Sequence, residues 1–111
     1  MRRGTNPIIK LAVSIDTSRI EDAYITFVQD KVIITKPINH CQCEEGVIST
    51  QLTQEDTLRF KYGVVQVQAR VKLTDGTIDA SNIVTIPVEE VLQDGLLFEE
   101  AVNATAGEAV E

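Results

Sequence analysis

Tryptophan is absent from this 111-residue chain, and its aromatic residues amount to Tyr24, Phe27, Phe60, Tyr62 and Phe98. A sugar-cleaving pocket needs aromatic, apolar walls to hold an acid and a base apart, and there is little here to build one. Histidine occurs once, at position 40, and cysteine twice, at 41 and 43. Structural zinc takes four ligands, normally as two pairs, so His40-Cys41-Gln42-Cys43 is half a site that Glu44, Glu45 or a second subunit would have to complete. As a catalytic pair the cluster fares worse. Neighbouring residues of an extended strand point to opposite faces, so His40 and Cys41 diverge. A Cys41–Cys43 disulfide would join residues i and i+2, near the ~7 Å Cα limit. The expectation is two reduced thiols in a loop or edge strand, in a reducing compartment. His40, Cys41 and Cys43 stand as the metal candidates, and no cofactor is expected.

Long apolar runs are missing too. No segment approaches the ~20 apolar residues that cross a bilayer. Residues 8–13 are interrupted by Lys10 and followed by Ser14 and Asp16, unlike the longer, uncharged core of an export signal. The chain is expected to be made and kept in the cytoplasm unless it leaves within an assembly, with no membrane as partner. Basic residues are sparse, 10 against 17 acids, and Glu99, Glu100, Glu108 and Glu111 supply more than half of the net charge of −7. Arg2 and Arg3 are the one basic cluster, too small for a phosphate backbone, so nucleic acid is not an expected partner. The acidic pairs Glu21-Asp22, Glu44-Glu45, Glu55-Asp56 and Glu89-Glu90 lack the spacing of a calcium loop and read as solvated turns and caps.

What is present is alternation. In residues 63–73, Val65, Val67, Ala69, Val71 and Leu73 point one way and Val64, Gln66, Gln68, Arg70 and Lys72 the other, the pattern of a strand with one dry and one wet face. Thr74-Asp75-Gly76-Thr77 follows, and its Asp-Gly pair suits the positive φ angles of a hairpin. Similar alternation places strands at 8–15, 23–29, 32–36 and 47–52, with turns at 16–19 and 30–31 and a loop or short edge segment at 37–46. Thr53 followed by Asp56 opens a capped helical turn near 53–59. Residues 78–88 read as the partner of the long strand, with Pro87 at a strand end or sheet edge. Residues 91–98 read as a further short strand or docked tail.

These elements predict an all-β protein, an antiparallel β-sandwich of about seven strands with one helical turn. A single domain is expected over 8–98, flanked by a flexible N-terminal arm (1–7) and an acidic, unstructured tail (99–111). The outward row Gln66, Gln68, Arg70 and Lys72 is either an ordinary wet face or a surface facing another subunit. Together with Arg2 and Arg3, these four are the interaction candidates.

The run Leu-Thr-Gln-Glu-Asp-Thr-Leu at 52–58, then Gly63, then Val-Val-Gln-Val-Gln at 64–68 and Asp75-Gly76, resembles a family. It is similar to the small β-sandwich structural proteins of phages and prophages of Gram-positive bacteria. Met1-Arg2-Arg3-Gly4-Thr5 and Ala80-Ser81-Asn82-Ile83-Val84 carry the same likeness, which extends over residues 1–98 and includes the N-terminal immunoglobulin-like domain of phage upper-baseplate proteins. The resemblance implies an immunoglobulin-like sandwich and a non-enzymatic virion component of tail, baseplate or head surface. Its implied partners are other virion proteins and further copies of itself, and it implies no catalytic residue. The alternatives are a soluble β-sandwich module that binds carbohydrate or a host protein, with Tyr24 and Tyr62 as the surface aromatics, and a metal-binding protein using His40, Cys41 and Cys43.

Overall fold

The computed structural model describes residues 1–91; the acidic tail and nearly all of the segment expected at 91–98 lie outside them. The chain runs β1 (Ile8–Ala12), β2 (Ile20–Gln29), β3 (Val32–Pro37), β4 (Cys41–Glu44), β5 (Val47–Gln51), α1 (Gln54–Leu58), β6 (Gly63–Leu73), β7 (Ile78–Ala80) and β8 (Val84–Val88), with 3-10 turns at Thr17–Arg19 and Ile38–His40. All strand pairs are antiparallel and form two sheets, one ordered β1-β5-β4 and the other β3-β2-β6 with β7 and β8 sharing the far edge of β6. The fold is an all-β sandwich.

Period-two patterning decides which side of each strand is dry. Ala23, Ile25 and Phe27 of β2 and Val65, Val67, Ala69 and Val71 of β6 are buried, and they meet Ile9, Leu11 and Ile48 of the smaller sheet in one core. Among the described residues, Phe27 and Phe60 are the large rings sealed from solvent. Gln29 ends the buried row of β2, where the alternation calls for an apolar residue. Its side-chain amide donates to the carbonyls of Lys61 (2.9 Å) and Val64 (3.2 Å) and accepts from the N–H of Lys61 (2.7 Å), stapling the entry of β6 to β2. Gln29→Met should therefore cost about 2 kcal/mol by leaving these backbone groups unpaired. Urea unfolding at unchanged m-value would measure it.

The expected capped turn is present. Thr53 accepts from the N–H of Asp56 (3.0 Å), and Asp56 accepts from that of Thr53 (2.9 Å), a complete capping box. Other boundaries moved. Regular pairing of β1 stops at Ala12, although Val13 still bonds to Gly46. The 37–46 segment holds a paired strand, β4. At the Asp75-Gly76 turn only Gly76 has positive φ (90°), because Asp75 instead accepts the N–H of Thr77 on its carboxylate. The partner of β6 is not one strand: Ser81 places its hydroxyl on the N–H of Ala69 (3.0 Å), displacing the regular ladder and dividing β7 from β8.

Residues 1–7 are not a free arm. Arg2 bridges Glu89 in parallel, with Glu89 N–H donating to Met1 and Arg3 N–H donating to Glu89. The Arg3 side chain donates to the carbonyls of Phe60 (2.6 Å) and Leu58 (3.0 Å), groups that α1 leaves without intrahelical partners. Thr5 and the buried Thr57 exchange bonds at 3.1 and 2.8 Å. Composition marked these residues as polar and mobile; tertiary acceptors at the end of α1 decide otherwise.

Candidate assembly surface

Alternation that buries one side of β2, β3 and β6 leaves the other side as a broad face. Register sets its rows across the strands: Ile33–Val28–Gln66–Thr85, then Thr35–Thr26–Gln68, then Pro37–Tyr24–Arg70–Ala80, with Lys72 beside Asp22 and Ile78 at one end and Val64 beside Pro87 at the other. Ile33 (59 % exposed), Tyr24 (47 %) and Val64 (57 %) stand in water on it.

The face is poor in acid although the chain is rich in it. Among the described residues, the carboxylate in these rows is that of Asp22, half-buried and accepting the backbone N–H of Ala23 at 2.8 Å. Arg70 and Lys72 are exposed. A surface mixing Tyr, Arg, Gln, Thr and aliphatics with few carboxylates has the composition of a protein interface.

The interaction candidates divide into two sets. Gln66, Gln68, Arg70 and Lys72 share this face, and the Gln68 amide also donates to the carbonyl of Ser81 at 2.9 Å. Arg2 and Arg3 belong elsewhere: Arg2 pairs with Glu89 at 3.1 Å, Arg3 lies 3.6 Å from Glu90, and both hold the chain's start to its own domain. Missing from the candidate set were Ile33, Thr35 and Thr26. Their signal lay in the alternation of the second and third strands, read for burial and not for what it left outside.

The His-Cys-x-Cys cluster is split as the strand geometry demands. His40 is exposed at the end of a 3-10 turn, while Cys41 and Cys43 turn their sulfurs toward the core. The Cys41 thiol donates to the Pro37 carbonyl at 3.2 Å. Burial raises the pKa of Cys41, with Thr50 pulling the other way, and burial raises that of Cys43. Both thiols therefore stay protonated at neutral pH. Among the described residues no group of three or more His, Cys, Asp or Glu side chains is placed to hold a metal ion. Nor is any described helix long and apolar enough to cross a membrane.

Tyr24 and Tyr62 do not form a platform. Tyr24 lies opposite Arg70, whereas Tyr62 precedes Gly63 at the other end of β6, about 25 Å away at about 3.3 Å per residue. Comparison with protein-family models, curated proteins and solved structures finds no match.

Proposed function

We propose that this chain is a non-enzymatic structural protein of a phage or prophage particle, a component of tail, baseplate or head surface. It joins neighbouring virion proteins and copies of itself through the outer face of the β3-β2-β6-β7/β8 sheet. The observation that carries this reading is that face: broad, acid-poor on an acidic chain, with Tyr24, Ile33 and Val64 exposed among Thr, Gln and Arg side chains. The strand order supports the immunoglobulin-like form that the family resemblance implies. β1-β5-β4 opposite β3-β2-β6-β7/β8 follows the order B-E-D opposite C′-C-F-G, and Met1–Arg3 lies on the last strand in place of a first one.

The reading is tested by mass spectrometry of particles purified from the producing bacterium. The chain should co-purify with them in stoichiometric amount, and Arg70→Glu should remove it from them while leaving the unfolding midpoint unchanged. Recovery of the wild-type chain only as free protein would overturn the reading in favour of a soluble binding module.

A further inference from the structure

Every sandwich has outer strands, and a chain that stays soluble must guard them against pairing with other chains. Among the described residues, three of the four edges are guarded. β1 carries Lys10, exposed, at its centre. β4 is four residues long and runs into Glu44 and Glu45. The β7/β8 edge is broken at Ser81 and carries Asp79 and Pro87. β3 is different. It reads Val-Ile-Ile-Thr-Lys-Pro, and its one charge is withdrawn: the Lys36 ammonium lies 2.7 Å from Asp56 of α1, with its side chain only 15 % exposed. Val32–Thr35 is left as an uncharged, β-branched edge.

The ladder defines which backbone groups that edge offers. The two-residue turn at Asp30-Lys31 closes on Gln29 opposite Val32, which makes that the hydrogen-bonded pair. Alternation then makes Phe27–Ile34 and Ile25–Lys36 hydrogen-bonded pairs, and Val28–Ile33 and Thr26–Thr35 the non-bonded ones. The Thr26 and Thr35 hydroxyls, 3.4 Å apart, fit the closer side-chain approach of a non-bonded pair. The N–H and C=O groups of Ile33 and Thr35 therefore point away from β2. Pro37, next in that series, has no N–H and ends the row.

We propose that β3 pairs with β3 of a second copy of this chain, antiparallel about a two-fold axis through Ile34. Ile33 of each copy then exchanges both backbone bonds with Thr35 of the other, using all four outward groups on each side. Val32 lies opposite Lys36, apolar stem to apolar side chain. The alternatives waste donors: an axis at Thr35 sets Ile33 against Pro37, and one at Ile33 sets Thr35 against Lys31 in the turn. Pairing at Ile34 also joins the two outer faces through Ile33 and Thr35 into one continuous surface. The inference rests on the assembly reading above and supplies its first contact.

Sedimentation equilibrium of the full chain across the micromolar range should give the mass of two chains. Thr35→Pro removes an N–H that faces only outward, as edge strands tolerate. It should weaken self-association by at least about 100-fold while leaving the circular dichroism and the unfolding midpoint in place. The double variant Ile33→Cys/Thr35→Cys supplies a second readout. Residues i and i+2 of one strand lie near the ~7 Å limit, whereas opposed residues approach to about 5.5 Å, so oxidation should yield a linked dimer that neither single variant gives. A single-chain mass for the wild type, a dimer indifferent to Thr35→Pro, or a double variant that does not cross-link would each overturn the β3 pairing. A single-chain protein that still enters particles refutes this contact alone; a β3 dimer absent from particles refutes the particle reading alone.

Discussion

Phe27→Ala is expected to lower the unfolding free energy by about 4 kcal/mol, within the range for emptying a buried aromatic site. Phe27 is fully buried near the end of β2, between Ile34 of β3 and Val67 of β6 in the ladder. Ile34 is held to β2 by backbone pairing, and Val67 is paired both to β2 and to Val84 of β8, so the sheet cannot close over the gap. Among the described residues the core holds one other large ring, Phe60. Small domains hold about 5–15 kcal/mol in all, so the variant should sit near the edge of folding. Its thermal midpoint should fall by on the order of 20 °C, measured by circular dichroism. A fall of only a few degrees would mean that the core is looser than the packing around Phe27 describes.

Asp56→Ala should cost about 3 kcal/mol at neutral pH, from two separate losses. One is the capping box, in which Asp56 and Thr53 satisfy each other's N–H groups at the start of α1, worth about 1 kcal/mol. The other is the partner of Lys36, an ammonium drawn beneath β3 at 2.7 Å from Asp56 and largely shielded from water. The pH dependence follows from the carboxylate. Burial pushes the Asp56 pKa up, but the bonds from Lys36 and Thr53 outweigh it, and the pKa falls below its ordinary value of 3.8. A depressed carboxyl contributes stability above its unfolded pKa and loses it as pH falls through the folded one. The wild type should thus weaken below about pH 4, and the gap to Asp56→Ala should narrow there. Denaturant titrations at neutral pH and in acid would show it. A gap independent of pH would mean that neither Lys36 nor Thr53 holds the Asp56 carboxyl below its ordinary value. Asp56→Asn separates the two losses, since its amide oxygen can still accept from Thr53 while the ion pair is gone.

Strand positions were legible because burial writes itself into a sequence with a period of two. Residues 63–73 are read without ambiguity since one side is Val65, Val67, Ala69, Val71 and Leu73 and the other Val64, Gln66, Gln68, Arg70 and Lys72, and a shift of one residue would put Val65, Val67 and Val71 in water. The capping box was equally open, being a contact between residues three apart. Contacts between distant residues left weaker marks. Ser81 could not be seen to break a strand, because what breaks it is the N–H of Ala69. Gln29 looked like the polar end of a strand, and its acceptors, Lys61 and Val64, lie far along the chain.

The candidate surface divides in the same way. Gln66, Gln68, Arg70 and Lys72 were found as the wet side of one strand. That Tyr24, Thr26, Ile33 and Thr35 lie beside them depends on which strands are neighbours and in which register. Arg2 and Arg3 were candidates for outside partners because no local pattern told of the carbonyls at Leu58 and Phe60 that bind Arg3.

Local sequence pattern alone therefore determined the all-β class, the dry side of the long strand and the start of α1, since these depend on neighbours a few residues apart. The tertiary structure decided where the chain's first residues go, how the partner of β6 is divided, and that Lys36 is drawn under β3 and leaves that edge unguarded. Each of these turns on a hydrogen bond or ion pair between residues far apart in sequence, whose meeting only the packed sheets bring about.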